Sequence, residues 1–248
     1  MFKSTFLSLC CILLFGACQP QTHLVKSDHH YQEVKELEGK DPAITAMIAP
    51  YKKELEEDMN AVIGETAKML TKAKPESTLG NWAADLVHKK CEDYLKRKID
   101  FAVLNYGGLR IPSLPAGSIT KGKLFELMPF DNLLVVVEMK GSELIALFNH
   151  IATNEGWPIS RQVKMTAHRN KAIDVRINGR KVEKDRVYSL ATNDYIANGG
   201  DKCSFLKDKK QIATGVLFRN AIIEFVEEET KAGRKLDANL EKRIFILK

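Results

Sequence analysis

Cysteine is scarce in this chain of 248 residues, which holds five. Three of them, Cys10, Cys11 and Cys18, fall within the first 18 residues. A disulfide framework is therefore excluded as the source of stability, and none is needed, because 44% of the residues are hydrophobic and can build a core. We expect Cys91 and Cys203 to be free, buried thiols; a disulfide between them is the alternative.

The chain also lacks the signatures of several protein classes. Its 44% hydrophobic and 28% charged residues exclude a disordered tail, a collagen-like repeat and a polytopic membrane protein. The 38 basic and 32 acidic residues are spread along the chain, so we expect no nucleic acid polymer as a partner. Neither a G-x-G-x-x-G dinucleotide motif nor a G-K-[ST] phosphate loop is present.

The first 17 residues predict an export signal that is removed from the mature protein. Lys3 supplies a short positive start, and the apolar stretch 6–15 is too short to span a membrane. The small residues Gly16 and Ala17 precede Cys18 as in the lipobox of bacterial lipoproteins, so we expect Cys18 to be lipidated. The protein would then be extracytoplasmic and anchored to a bacterial membrane, in the periplasm or at the cell surface. Ordinary secretory cleavage before Cys18 is the alternative.

Residues 18–40 lack a periodic apolar pattern and predict a flexible spacer between the lipid and the folded part. Asp28-His29-His30 carries side chains that bind metals, but no second ligand cluster accompanies it, which favours a solvated tail. The remaining residues, 41–248, contain no repeat and no proline-rich or charged linker. We expect them to form one domain.

The pattern of this part predicts an α+β fold with mixed sheets and packed helices. Apolar spacing and capping residues predict helices over 41–59, from Ser77 or Thr78 to Leu95, from Thr120 to before Pro129, over 142–153 and over 216–226. Strand-like runs occupy 61–70, 99–105, 132–139, 163–168, 172–177, 181–184, 187–192 and the C-terminal end. Asn178-Gly179 predicts a type I′ hairpin between two of these strands.

One loop of chemical interest, residues 105–110, follows a predicted strand. Gly107 and Gly108 permit unusual backbone angles and close approach of a ligand. Arg110 adds a planar fork of donors for an anionic or hydroxylated group. The loop therefore favours ligand binding, with an ordinary turn as the alternative.

Two further loops each carry one aromatic side chain. Residues 128–132 place Phe130 in a rigid turn between a helix and a strand, and residues 193–201 combine Tyr195 with two glycines and Asp201. Two aromatic rings can clamp a flat base, at about 1–3 kcal/mol for each stacked base. The alternative for Phe130 is a packing role in the core.

Taken with their flanking segments, these loops resemble the C-terminal, substrate-binding domain of the 5′-nucleotidase (UDP-sugar hydrolase) family. The matching segments occur in the family's order: LGNWAADL (79–86), NYGGLR (105–110), LPAGSIT (114–120), LMPFDNLLVVVEMKGSELIALF (127–148) and YSLATNDYIANGGDKCSF (188–205). Together they cover nearly all of residues 41–248. The resemblance implies a fold like that of the 5′-nucleotidase C-terminal domain.

The resemblance also implies a site for a nucleoside monophosphate, a nucleoside or a UDP-sugar. In that family two aromatic rings sandwich the base, and they correspond to Phe130 and Tyr195. Of the other positions, Asp201 would contact the ribose hydroxyls and Asn132 the base. The remaining substrate-binding positions correspond to Asn105, Gly107, Gly108, Arg110 and Gly200. A family arginine before the LGN segment has no counterpart, and Lys72 or Lys74 would replace its charge without its planar fork.

The catalytic motifs of the family are absent from this sequence. Full-length members hydrolyse phosphate esters in an N-terminal metallophosphatase domain with two metal ions, whose motifs include Gly-Asn-His and Gly-His-x-His. Here Trp82 follows Gly80-Asn81, and no Gly-His-x-His occurs. We therefore expect no catalytic residue, metal ion or cofactor in this chain.

These observations predict the recognition module of a split 5′-nucleotidase that is inactive alone. The two divalent metal ions would then belong to a separate metallophosphatase chain. The alternative is a surface lipoprotein that binds nucleosides or nucleotides without catalysis.

Overall fold

The computed structural model describes Tyr31 and residues 41–247. The predicted export signal, Cys18 and nearly all of the predicted spacer lie outside these residues. The chain divides into two units after Ala46, and the fold described below is that of residues 47–248. None of the helices among the described residues is long and apolar enough to cross a membrane.

Six α-helices occur in the described residues: α1 (Pro42–Asn60), α2 (Thr78–Leu95), α3 (Lys121–Leu127), α4 (Gly141–Thr153), α5 (Asp194–Ala197) and α6 (Phe218–Lys231). The strands are β1 (Val62–Thr66), β2 (Leu70–Thr71), β3 (Phe101–Ala102), β4 (Ser113–Leu114), β5 (Gly117–Thr120), β6 (Leu133–Lys140), β7 (Val163–His168), β8 (Lys171–Ile177), β9 (Arg180–Lys181), β10 (Val187–Asn193), β11 (Lys210–Leu217) and β12 (Ile244–Leu247). Runs of strands are interspersed with helices, and the sheets contain both parallel and antiparallel pairs, which confirms the predicted α+β class.

Two four-stranded sheets organise the fold. The central sheet has the order β11-β6-β10-β3, and the second has the order β12-β7-β8-β9. In the central sheet β10 runs antiparallel to β6 and parallel to β3. Two smaller sheets pair β1 with β5 and β2 with β4.

The inner strands of the central sheet, β6 and β10, are buried on both faces, which explains the unbroken apolar run of β6. Leu134 and Val136 belong to a core shared with α2 and α6, whereas Val135 and Val137 belong to a core shared with α4. Successive side chains of a strand point to opposite faces, so a strand between two cores needs apolar residues at every position. Each buried valine or leucine contributes about 1.5–3 kcal/mol.

Capping residues set the starts of the helices that flank this sheet. Ser77 Oγ accepts a hydrogen bond from Gly80 N at 3.0 Å and begins α2, and Thr120 Oγ1 accepts one from Lys123 N at 3.3 Å and begins α3. Both starts agree with the sequence. In α1, Asp41 Oδ1 accepts from Ala43 N at 2.8 Å, which confirms the predicted helix start. The apolar residues that predicted α1 are exposed: Ile44, Met47, Ile48, Tyr51 and Leu55.

Several predicted element bounds are wrong. The strand predicted over 99–105 contains only the two residues of β3, and the run 181–184 contributes only Lys181 to β9. Helix α4 begins at Gly141 with Lys140 as its cap, one residue before the predicted start. The last helix begins at Phe218, because Val216 lies in β11, a strand that the sequence did not predict. As an edge strand, β11 is largely exposed or half-buried and shows no apolar alternation.

Two other predictions are confirmed. Asn178 and Gly179 both have positive φ, 51° and 77°, as a type I′ turn requires, and they join β8 to β9. Cys91 and Cys203 are not joined to each other; both are free and buried within the part of the chain that the structure describes. Burial raises the pKa of each thiol to about 12.

Candidate functional site

The three loops identified in the sequence meet at one edge of the central sheet. Because β10 runs parallel to β3 and antiparallel to β6, the ends of β3 and β10 lie beside the start of β6. Residues 105–110 follow β3, residues 128–132 precede β6, and residues 193–201 begin at the end of β10. The strand order thus brings together loops that are distant in sequence.

These loops line an open cavity of about 590 Å³. Eight of the nine residues expected to bind substrate are in its wall: Asn105, Gly107, Gly108, Arg110, Phe130, Asn132, Tyr195 and Asp201. Met128, Asp131 and Asn193 also line it, and the sequence had not singled them out. Among the described residues, Gly200 is the one expected binding residue that does not line the cavity.

The Asp201 carboxylate joins two of the loops. Asn105 is 5% exposed, and its Nδ2 donates to Asp201 Oδ2 at 2.6 Å. The Tyr195 hydroxyl donates to Asp201 Oδ1 at 2.9 Å and accepts from Asp201 N at 3.1 Å. The hydrogen bond to the carboxylate raises the pKa of Tyr195, because the carboxylate disfavours a neighbouring phenolate. The ring, the carboxylate and the amide therefore form one connected group.

Gly200 lets the Tyr195 ring lie against the backbone of its own loop. A Cβ at position 200 would lie 2.5 Å from the Tyr195 carbonyl oxygen and 2.6 Å from the Tyr195 ring. Asp201 itself has φ 48° and ψ 38°, a left-handed conformation that aspartate tolerates better than most residues. Gly200 thus shapes the cavity through Tyr195, although it does not line it.

Both aromatic rings are open to solvent at the cavity. Phe130 is 42% exposed and Tyr195 is 46% exposed. The alternative of Phe130 as a core residue is therefore wrong. The Arg110 guanidinium lies 5.6 Å from the centre of the Phe130 ring, within the range of a cation–π contact, and Arg110 Nη1 donates to Gly107 O at 3.2 Å.

A family model described as "5'-nucleotidase, C-terminal domain" matches residues 62–208. The chain belongs to this family. It is 28% identical over 208 residues to a 5'-nucleotidase of Vibrio vulnificus, and 29% identical over 136 residues to Protein UshA of Escherichia coli K12. Among solved structures, the 5'-nucleotidase precursor from Thermus thermophilus superimposes with a TM-score of 0.70 and 26% identity, over 84% of this chain and 44% of that one.

This 5'-nucleotidase C-terminal domain spans only part of the length of its relatives. The matches cover 80% of this chain but 36% of the Vibrio vulnificus protein, and 53% of this chain but 24% of UshA. A 27% identical match to the Bacillus subtilis trifunctional nucleotide phosphoesterase YfkN covers 88% of this chain and 16% of that protein. The family and the fold are therefore shown, and the activities of the longer proteins do not transfer with them.

The two lysines considered as replacements for a family arginine lie beside the 105–110 loop. Lys72 Nζ donates to Leu109 O at 2.6 Å and lies 4.2 Å from the centre of the Tyr106 ring. Burial, with the nearby Arg110 charge as a second cause, lowers the pKa of Lys72. Lys74 pairs with Glu155 at 3.5 Å. Neither lysine is among the described residues that line the cavity.

In this 5'-nucleotidase C-terminal domain, the buried Asn193 side chain links the 193–201 loop to the 105–110 loop. Its Oδ1 caps α5 by accepting from Ile196 N at 3.0 Å, and its Nδ2 approaches Asn105 Oδ1 at 3.4 Å. Neither α5 nor this cap was predicted from the sequence, although asparagine is a favoured N-cap, and the link to Asn105 depends on strand pairing. Asn132 is oriented in a similar way, because its Nδ2 donates to Asp194 Oδ1 at 2.9 Å.

Metal-binding side chains do not converge in the described structure. Across Tyr31 and residues 41–247, no group of three or more His, Cys, Asp or Glu side chains is placed to hold a metal ion. The site consists instead of aromatic rings, amides, one arginine and two aspartates. Such a set can stack on a flat ring and hydrogen-bond hydroxyl or amino groups.

Proposed function

We propose that this chain is the nucleotide-recognition module of a split 5′-nucleotidase, and that a separate metallophosphatase chain supplies hydrolysis. The observation that carries the proposal is the cavity itself. Two half-exposed aromatic rings line the same space as Arg110 and the Asp201 carboxylate. Rings of this kind stack on bases, while a carboxylate and a guanidinium can hold the hydroxyls and the negative charge of a nucleotide.

The cavity size fits a small-molecule ligand. A volume of about 590 Å³ falls within the range of small-molecule sites. Its charged lining residues are Arg110, Asp131 and Asp201. Asn105 fixes one oxygen of Asp201 and Tyr195 the other, so the carboxylate is held in place before a ligand arrives. A nucleoside monophosphate, a nucleoside or a UDP-sugar is the substrate class we assign.

The partner chain that we propose corresponds to the part of the relatives that this chain does not match. The family model covers a C-terminal domain, and the chain spans 36% of the Vibrio vulnificus 5'-nucleotidase. We assign catalysis and its two divalent metal ions to a metallophosphatase chain that corresponds to the rest of such a protein. The cavity would present the base and sugar to that chain, and the phosphate would reach its metal ions.

A lipid anchor on Cys18 is part of the proposal and rests on the sequence. Residues 1–17 would be removed, residues 18–40 would connect the lipid to the domain, and residues 41–248 would form the nucleotide-binding domain at a bacterial membrane. Cys18→Ser is the direct test. It should abolish labelling by a fatty-acid analogue and release the protein from the membrane fraction, whereas unchanged labelling would refute the anchor.

Reconstituted hydrolysis tests the split enzyme. AMP and Mn²⁺ are supplied to the full chain alone, to a metallophosphatase encoded beside it, and to both together, and phosphate release is measured. We expect release from the mixture to exceed the sum of the separate rates, and to fall when Phe130 and Tyr195 are both replaced by alanine. Phe245→Ala is the matched control, because Phe245 is an exposed aromatic on β12. No stimulation by the chain would refute the split arrangement.

A second candidate function is capture of nucleosides or nucleotides without catalysis. The observation in its favour is that the lining residues form the cavity within one chain, so binding needs no partner contact. Calorimetry with adenosine, AMP and UDP-glucose separates the two proposals. Micromolar affinity together with no stimulation of hydrolysis favours capture, whereas stimulated hydrolysis favours the split enzyme.

A further inference from the structure

An arginine outside the family match lies at the start of α6. Arg219 is the second residue of this helix and lies beyond the matched residues 62–208. A positive charge in the first turn opposes the helix dipole, so this position is unfavourable for arginine unless another contact compensates. Only 12% of the Arg219 side chain is exposed. A mostly buried cation at the wrong end of a helix calls for a specific partner.

The partners of Arg219 belong to the turn that carries Phe130. Arg219 Nη2 contacts Asp131 Oδ1 at 2.6 Å, and Nη1 donates to Phe130 O at 3.4 Å. The guanidinium also stacks on the Phe125 ring of α3, 4.5 Å from its centre. The Arg219 guanidinium therefore contacts two consecutive residues of the turn and itself lies against an aromatic ring.

The backbone beside Arg219 holds the third residue of the same turn. Phe218 N donates to Asn132 O at 2.8 Å, and Leu217 pairs with Leu133. The first N–H groups of a helix have no acceptor within the helix, so the Phe218 amide is free to make this contact. The start of α6 thus contacts Phe130, Asp131 and Asn132 in succession.

We propose that Arg219 is a positioning residue of the nucleotide site, which holds the Phe130 ring where it can stack on the base. This inference rests on the proposed function. Arg219 also neutralises Asp131, a carboxylate in the cavity wall that would otherwise repel an anionic ligand. Asp131 accordingly acts as the counter-ion of Arg219.

Arg219→Gln tests the inference, with Arg234→Gln as the matched control. Arg234 forms a two-point pair with Glu229 near the other end of α6, at 2.7 Å for both contacts. We expect Arg219→Gln to weaken AMP binding about fivefold, the lower end of the loss for a stacked ring. The hypochromic change at the adenine absorption band on binding should shrink with it. Arg234→Gln should leave both unchanged.

A second measurement needs no ligand. Hydrogen exchange of the Phe218 amide, followed by NMR, reports the contact with Asn132 O. We expect about tenfold faster exchange in Arg219→Gln and wild-type exchange in Arg234→Gln. Because Asp131 is 78% exposed, we expect Asp131→Asn to fold and to speed exchange of the Phe218 amide as Arg219→Gln does. Combining Asp131→Asn with Arg219→Gln should raise the exchange rate little beyond that of either single variant, because both substitutions remove the same ion pair.

The two measurements separate the possible failures. If the wild type does not bind AMP, the proposed function fails, and exchange at Phe218 still decides whether Arg219 holds the turn. Wild-type exchange in both Arg219→Gln and Asp131→Asn would overturn the inference. Faster exchange with wild-type AMP affinity would overturn it as well, because the turn would then move without affecting the site.

Discussion

The cavity has two halves, one with the Tyr195 ring and the other with the Phe130 ring, and the two rings are held in different ways. Tyr195 is fixed by its own loop, where Asp201 meets the hydroxyl and Gly200 makes room for the ring. Phe130 is fixed from a distance, through an ion pair between Asp131 and Arg219 that joins residues 88 positions apart. One half therefore depends on local backbone conformation and the other on the packing of α6. Substitutions should affect the two halves independently.

The largest effect should come from Gly200→Ala. The new Cβ would fall within 2.6 Å of the Tyr195 ring and force it away. We expect the free energy of unfolding to drop by about 1–3 kcal/mol, and AMP affinity to drop about a hundredfold as the Tyr195 ring is displaced. Urea unfolding and calorimetry measure the two effects.

Gly107→Ala serves as the comparison for that change in stability. A Cβ at position 107 meets its nearest atom, Asn105 Nδ2, at 3.9 Å, which is ordinary contact. The free energy of unfolding should therefore change far less than in Gly200→Ala. Equal losses in the two variants would contradict the close approach described for Tyr195.

The next largest effect should come from Asp201→Ala. It leaves the buried Nδ2 of Asn105 without its acceptor and frees the Tyr195 hydroxyl. We expect a loss of about 2 kcal/mol in the free energy of unfolding. Asp201→Asn keeps one carbonyl oxygen and should lose about half as much. If the two variants lose the same free energy in urea unfolding, the carboxylate does not organise the loop.

A smaller effect is expected from Tyr195→Phe, which removes the hydroxyl and keeps the ring. Two hydrogen bonds to Asp201 are lost, and the free energy of unfolding should fall by about 1 kcal/mol. AMP affinity should stay close to that of the wild type, because stacking needs only the ring. A large loss of affinity in calorimetry would mean that the hydroxyl itself contacts the ligand.

The smallest expected effect is a pH dependence of the free energy of unfolding, and it concerns only the half of the cavity that contains Tyr195. Burial lowers the pKa of His150 and outweighs the backbone hydrogen bond and the charge of Asp201, which raise it; the Lys202 charge lowers it by the smallest amount. The ring packs on Trp157 at 4.9 Å, and Nε2 lies 3.2 Å from Asn154 Nδ2, a donor that suits the neutral ring. His150 thus favours folding above its unfolded pKa of about 6.5, and this contribution is lost as the pH falls below that value.

His150→Gln removes the titrating group and tests the sign. Urea unfolding at about pH 7.5 and about pH 5.5 should show a larger acid-induced loss for the wild type than for the variant. An equal loss in both proteins would show that His150 does not contribute.

Sequence patterns predicted the parts of the site that depend on local chemistry. Glycines beside Tyr195 and Asp201, and an arginine after Gly107-Gly108, are signals that a single loop contains. The convergence of the loops came from resemblance to a family, and the structure explains it by the strand order around β10.

Most of the contacts that were not predicted from the sequence are tertiary. Arg219 reads as an ordinary polar residue of a helix, and nothing near it in sequence indicates Asp131 as its partner. The edge strand β11 escaped prediction because its sequence, KQIATGVL, lacks the alternation of a half-buried strand. Missing β11 also displaced the predicted start of α6, the helix that holds the Phe130 turn.

The most direct test of the nucleotide site is a calorimetric titration of AMP into the full chain. We expect binding to the wild type and to Phe245→Ala, and its loss when Phe130 and Tyr195 are both replaced by alanine in a protein that still unfolds cooperatively. Binding that survives the double replacement, or a wild type that binds no nucleotide, would contradict the assignment of this cavity as a nucleotide site.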